Sequence, residues 1–535
     1  MQEQMSEMKI IILETSDIHG YIVPYSYEDG RSVDHGLSII STLIAEQRKD
    51  GGEILLIDNG DCLQGSPLAY HQAKVDRSHP SVVIECMNAI GYDAAVPGNH
   101  EFNFGRNYLE EEVAASNFPW LSANVISETT GEPLFGTPYR IWEWENGLRL
   151  AVLGLTTSYV PNWEQEDHIR DIKFIDPVDT AKRWIPYLRD QERADIVIVS
   201  YHGGLERDLL TGEATETLTG ENQGYALCHE VPGIDVLLTG HQHRGIAGET
   251  VNGVCVVQPG SEGSYLGKVT LHMKRINDQW LVVDKQSELL SSKNTKSDQL
   301  ILELAEPAEN AVAEWLNQSI GSVVGEDMRI SNPLQTRLTD HPFMEWINTV
   351  QMALSGVMIS CAAIFDNHSP GFGRNITMRD IMINYKYPNT LTVLRVSGQD
   401  IKDALERSAQ YFQLNDMGEI EVSEDFLLPK PQHFNYDMWE GIEYIMDVSR
   451  VRGDRIVRLE CEGNPILLCR EYDVVMNNYR ASGGGEYSMF KGKKVIKEIR
   501  VDMVELLADY IRSKGVIRST LNNNWRVIKS TNELE

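Results

Sequence analysis

Five short apolar runs within the first 245 residues each end on residue types that bind metals, and this recurrence constrains the fold more than any other feature of the chain. Ile10 to Leu13 leads to Asp17 and His19. Ile54 to Ile57 leads to Asp61, and Ala94 to Val96 leads to Asn99 and His100. Ile196 to Val199 leads to His202, and Val236 to Leu238 leads to His241 and His243. A short apolar run bounded by Gly and Asp reads as a buried strand of an α/β sheet. In such sheets chemistry collects outside the carboxyl ends of the strands. One such end would mean little, but five delivering carboxylate, amide and imidazole predict a dinuclear metal site.

Two divalent cations about 3.5–4 Å apart can clamp the attacking and leaving oxygens of a phosphoryl centre. Holding them that close requires a bridging anion, and Asp61 is placed to be one. Mixed imidazole and carboxylate ligands suit Mn, Zn, Co or Fe better than Mg or Ca, which prefer oxygen shells. No cysteine takes part in the pattern, which excludes a closed structural zinc site. Glycines at 60, 98, 203, 204 and 240 are expected to form the sharp turns that aim the ligands inward.

The ordered strings D-x-H, G-D, G-N-H-E, H-G-G and G-H-x-H resemble the calcineurin-like metallophosphoesterases. The longer strings Asn59 to Leu68 and Gly98 to Asn103 resemble the 5'-nucleotidase group, and within it the 2',3'-cyclic-nucleotide 2'-phosphodiesterases. The resemblance runs from about Lys9 to about Asp509. It implies an α/β fold: an N-terminal metallophosphoesterase β-sandwich flanked by helices, then a smaller α/β C-terminal domain. It also implies one metal held by Asp17, His19, Asp61 and His243, and a second by Asp61, Asn99, His202 and His241. His100 matches the family's catalytic histidine and Asn103 stands three residues beyond it. Glu101 is expected behind the ligands, and Cys62 as a packed small residue.

At 535 residues the chain exceeds one hydrophobic core. The expected division is a catalytic domain over 8–290, a helical linker over 291–324, a nucleotide-binding domain over 325–520 and a tail over 521–535, with Trp525 docking back. Helical spacing is read at 37–47, 82–90, 108–115 and 178–188, and strands at 265–274 and 280–289. In the linker, Ile301, Leu304, Val312, Trp315 and Leu316 share a helical face that Pro307 should kink or split. The net charge of −31 argues against duplex nucleic acid as a partner. It still admits a small nucleotide, because two bound cations reverse the local sign. No apolar run reaches 18 residues, and no apolar signal segment is read near Met1. Seven cysteines form no CxxC pair, so a cytoplasmic enzyme is expected.

The resemblance makes Tyr387 and Tyr479 a sandwich for the nucleobase and Asn389 a base-edge or ribose contact. Glycines 483 to 485, with Gly484 at their centre, would let backbone approach the ligand. Phe434 to Asp437 reads as loop architecture. Two departures distinguish this chain from the 5'-nucleotidase branch. Asn103 stands where that branch carries Asp, and an Asn can orient an imidazole but brings it no charge. The string Ser360 to Asp366 lacks the arginine used there for a terminal phosphate; the nearest in sequence are Arg374 and Arg379. A 2',3'-cyclic substrate, with one phosphate, needs no such clamp. The expected reaction is therefore metal-dependent opening of 2',3'-cyclic nucleotides to 3'-nucleotides, with 3'-nucleotidase activity following. A 5'-nucleotidase or UDP-sugar hydrolase is the alternative. An inactive nucleotide sensor is a remote one, because the ligand set is intact.

Overall fold

The computed structural model describes residues 7–49, 51–428 and 430–530. The start and end of the chain, including the segment read for a signal and the last five residues of the expected tail, lie outside them. The chain divides into two units, Met1–Val312 and Ala313–Glu535.

In the first unit the five apolar runs lie on two sheets. One sheet joins Glu7–Thr15, Glu53–Asp58 and Ala94–Ala95 as parallel neighbours, with the antiparallel pair Tyr265–Ile276 and Gln279–Ser291 beyond Glu7–Thr15. The other places Arg149–Thr156, Ile196–His202 and Val236–Thr239 side by side in parallel. Alternate residues of these strands face opposite ways, as the two-residue period requires. Leu150, Val152, Ile196 and Ile198 join Ile10, Ile12, Leu55 and Ile57 in a core shared by both sheets. Ala151, Leu153, Val197 and Val199 instead meet Val178, Ala181, Ile185 and Leu188 of the helix Pro177–Asp190. Being covered on both faces, the strands read in sequence as unbroken apolar runs.

Helices form at Leu37–Lys49, Val82–Ile90, Arg106–Ala115 and Pro177–Asp190, where the apolar spacing predicts them. Two expectations need correcting. The linker forms one helix across Pro307, over Gln299–Leu316, and not two. Pro307 lies exposed, while Ile301, Ala305 and Val312 are buried and Glu309 accepts hydrogen bonds from Tyr25 and Tyr27. This packing outweighs a penalty of about 3 kcal/mol for an interior proline. The end of the expected linker is itself a strand of the second unit: Ser319–Gly325 lies between Asn375–Thr377 and Val516–Ser519.

The second unit is built on a five-stranded sheet containing Ile359–Ala363, Leu391–Ser397 and Glu471–Asn477. Its last described segment is no loose tail. Trp525–Ile528 pairs in parallel with Glu443–Asp447, and Trp525 stacks on Tyr444 with ring centroids 5.6 Å apart. The preceding residues are tied down by three buried acids. Glu345 accepts from the Thr520 hydroxyl and the Asn522 N–H, Asp340 from the Asn523 N–H, and Glu440 from the Asn522 and Asn524 amides.

Candidate metal centre and nucleotide site

All the expected ligand residues of the first unit stand at the carboxyl ends of its parallel strands, and their side chains form two groups. Asp17, His19 and His243 offer ligand atoms within 4.8 Å of one another, as do Asp61, His202 and His241. His19 Nε2 and His243 Nε2 face each other at 3.0 Å, and His243 Nε2 stands 3.3 Å from Asp17 Oδ1. In the second group, His202 Nε2 lies 3.1 Å from Asp61 Oδ2. Asn99 Oδ1 lies 3.2 Å from His202 Nε2 and 2.8 Å from His241 Nδ1.

The backbone that presents these groups is strained where they sit. Asp17, His19, Asp61, His241 and His243 all take positive φ between 52° and 67°, a region that side-chain-bearing residues avoid. Each costs on the order of 1–3 kcal/mol and persists only where surroundings enforce it. The glycines work differently from the sequence expectation. Gly60 does take a left-handed φ of 94°, but Gly98, Gly203, Gly204 and Gly240 do not. Those four lack room. A Cβ at Gly98 would come 2.2 Å from Asp61 Oδ1, and one at Gly240 would come 2.1 Å from Ser16 Oγ.

Hydrogen bonds lock the turns together. Glu101, fully buried, accepts from the N–H groups of Asp61, Cys62, Leu63 and Gly98, tying two ligand turns to one carboxylate. Asn59 links the sheets, donating to the Tyr201 carbonyl and accepting from the Ser200 hydroxyl. Cys62 is a packed core residue, its thiol raised by burial.

The imidazoles are oriented from behind. His19 Nδ1 lies 2.7 Å from the Gln64 carbonyl oxygen and His202 Nδ1 lies 2.6 Å from that of Asn59. A carbonyl only accepts, so both Nδ1 atoms carry protons and both Nε2 atoms turn into the site. His241 is reversed, with Nε2 against Glu221 at 2.8 Å and Nδ1 toward Asn99. Trp163 stacks on the His241 ring at a centroid distance of 5.4 Å. The charges answer one another. Burial and the neighbouring His243 lower His19 to about 4. Burial works against protonated His202, but Asp61 outweighs it and raises His202 to about 10. Burial alone would raise Asp61, yet His202 and His100 hold it well below the usual carboxylate range. Imidazole nitrogens 3.0 Å apart beside buried carboxylates form a ligand set that fits divalent transition-metal cations.

His100 stands next to this array. Its N–H donates to Asp61 Oδ1 at 2.8 Å, its ring lies edge-on to His19 at 5.4 Å, and its Nδ1 meets Asn103 Oδ1 at 2.6 Å.

The candidate nucleotide residues are gathered at one end of the second unit's sheet. Leu391 pairs with Asn477, and the Asn478 N–H donates to the Thr390 carbonyl, so the loop bearing Tyr387 and Asn389 adjoins the turn bearing Tyr479. Tyr387 is 38% exposed and packs edge-on against Phe365. Tyr479 meets Phe434 at 6.2 Å. Buried Arg480, which sequence reasoning passes over, organises this corner. It pairs with Asp437 (Nε–Oδ2 2.6 Å) and donates to the carbonyls of Phe434 and Gly484. Gly484 therefore has a reason other than ligand approach: a Cβ there would press on the Tyr479 ring. The arginine nearest the 360–366 string is also not one found by sequence distance. Arg337, fully buried, donates to the Ile364 carbonyl and to Asn367 Oδ1, and is committed to the fold.

The calcineurin-like phosphoesterase profile matches residues 10–245, and that of the 5'-nucleotidase C-terminal domain matches 320–492. A crystal structure of a putative 5'-nucleotidase from Staphylococcus aureus is 35% identical. The match covers 97% of this chain and all of that one, with a TM-score of 0.89. The chain belongs to the 5'-nucleotidase family of calcineurin-like phosphoesterases. The 2',3'-cyclic-nucleotide 2'-phosphodiesterase/3'-nucleotidase of Yersinia enterocolitica is 28% identical over 98% of this chain and 89% of its own length. The trifunctional nucleotide phosphoesterase of Bacillus subtilis is 28% identical over 97% of this chain, which spans only 39% of that relative. The family's chemistry uses two divalent metal ions, and the two clusters are the groups this chain offers to hold them. Among the described residues no helix is long and apolar enough to cross a membrane.

Proposed function

We propose that this protein hydrolyses nucleotide phosphoesters, opening 2',3'-cyclic nucleotides to 3'-nucleotides and then releasing the 3'-phosphate. The observation that carries the proposal is the convergence of two ligand clusters, Asp17–His19–His243 and Asp61–His202–His241, beside His100. When bound, the two ions supply a water nucleophile of lowered pKa and neutralise phosphoryl charge. Asp61 lies beside His202 and bonds to the His100 N–H, so it is assigned the bridging role; Asn99 completes the second ligand set. His100 is assigned to protonate the leaving ribose oxygen or stabilise its charge, oriented by Asn103. Tyr387 and Tyr479 are assigned to stack the base, and Asn389 to contact its edge or the ribose.

Two features favour the cyclic substrate over a 5'-nucleotide. Asn103 places an amide rather than a carboxylate against His100, and the arginine beside the 364–367 segment is consumed by backbone carbonyls. A reducing, cytoplasmic setting is supported by seven cysteines that form no disulfide among the described residues. The deciding experiment is a panel of 2',3'-cAMP, 3'-AMP, 5'-AMP and UDP-glucose with Mn(II). The cyclic nucleotide should give the highest kcat/KM; a higher value for 5'-AMP or UDP-glucose would overturn the substrate assignment.

A further inference from the structure

Outside the ligand clusters, one carboxylate reaches His100 at one remove. Glu164 follows the short turn Val160–Asn162, and its side chain is only 5% exposed. Its Oε2 accepts from Asn103 Nδ2 at 2.6 Å, and the other end of the same amide, Asn103 Oδ1, meets His100 Nδ1 at 2.6 Å. The second carboxylate oxygen is held by His168 Nδ1 and by the Gln165 N–H, each at 2.8 Å. Glu164 is thus fixed from one side and directed at Asn103 on the other.

Hydrogen-bond polarity along this chain leaves one solution. The NH₂ of Asn103 donates to the Glu164 carboxylate and so faces it. The Asn103 oxygen then faces His100, and because that oxygen only accepts, the His100 Nδ1 must carry a proton and donate. Nε2 is then the accepting nitrogen of the ring. An Asn without Glu164 could present either end to the ring and would hold either tautomer. We propose that Glu164 is a positioning residue that acts through Asn103 to fix the tautomer and ring orientation of His100. The inference rests on the role assigned to His100 above.

A charge swap tests it. Asn103→Asp sets two carboxylates at the 2.6 Å separation and should lower kcat by about 10–100-fold, the range seen when partners behind a working histidine are lost. Adding Glu164→Gln restores a donor–acceptor pair: the new amide donates its NH₂ to the new carboxylate, which still accepts from His100 Nδ1. The double variant should return to within about threefold of wild type. Glu164→Ala alone should lower kcat about tenfold, leave KM and metal content near wild type, and add less than about twofold in an Asn103→Ala background. A double swap as slow as Asn103→Asp, or losses from Glu164→Ala and Asn103→Ala that multiply, would overturn the proposal. His100→Asn separates the two readings. If it leaves kcat intact, the role of His100 falls and the inference falls with it. If it collapses kcat while the swap fails to rescue, only the role of Glu164 is lost.

Discussion

Gly484→Ala tests the candidate base pocket with a single methyl group. The new Cβ would stand 2.5, 2.6 and 2.7 Å from Cε2, Cζ and Cδ2 of Tyr479. Favourable carbon–carbon contact begins at about 3.5 Å, so the ring must yield by roughly 1 Å. The backbone has little scope to retreat, because the Gly484 carbonyl is bonded to Arg480 and that guanidinium is locked to Asp437. Gly484 itself does not occupy the left-handed region, so alanine adds no backbone strain and the effect falls on the tyrosine. A base stacked on an aromatic ring is worth about 1–3 kcal/mol, which corresponds to a rise in KM between about 5- and 150-fold. Steady-state kinetics with 2',3'-cAMP should show that rise. Bis(p-nitrophenyl) phosphate, which has no base, should be turned over nearly as before. If displacement of the ring is the cause, Gly484→Ala should add little to Tyr479→Ala. An unchanged nucleotide KM, or equal losses on both substrates, would refute the stacking role.

Asp61→Ala should abolish turnover and leave fewer than about one metal per chain by elemental analysis, since both ions are assigned to this carboxylate; two retained ions with more than a tenth of wild-type activity would refute the bridge. His100→Asn should keep both metals while kcat falls by on the order of 10²–10⁴-fold, and loss of metal with rate would make His100 a ligand instead. Glu440 offers a test by pH. Burial and the nearby acids Asp340 and Glu345 raise it to about 8, against an unfolded value of about 4.3. The folded state therefore binds its proton more tightly, and the associated stability is complete below about pH 4 and is lost as pH rises to about 8. Glu440→Gln removes that linkage, so its melting temperature should gain on wild type by at least about 2 °C between about pH 5 and pH 8.5; parallel melting curves would show that the carboxyl is not buried in its neutral form.

Legibility in the sequence follows the range of the interactions. Each candidate ligand lies within a few residues of its strand, so local order is enough to bring Asp17, His19, Asp61, Asn99, His202, His241 and His243 to notice. The helix from Pro177 carries its own period and is equally readable. Ser319–Gly325 reads as linker because its glycines and serines carry no strand signature of their own; its partners are found at 375–377 and 516–519. Trp525–Ile528 is hidden behind three asparagines that read as a loop, although their backbone and amides serve buried acids far back in the chain. Glu164 and Glu221 sit in irregular segments with no period and no motif, and only three-dimensional proximity connects them to His100 and His241. Glu101 lies inside a recognisable string, but its four backbone contacts cannot be counted from spacing.

The pairing of Ser319–Gly325 with Val516–Ser519 also has a temporal consequence. Synthesis is vectorial, so the strand that opens the second unit is made nearly two hundred residues before its parallel neighbour exists. Until residues 516–528 leave the ribosome, Ser319–Gly325 keeps an unpaired edge, and Glu443–Asp447 likewise awaits Trp525–Ile528. The first unit carries all the strands of its two sheets before residue 292 and can close while translation continues. The half of the molecule that holds the candidate metal ligands can thus mature first, while the half assigned to the base is completed only once residues 516–528 have been made.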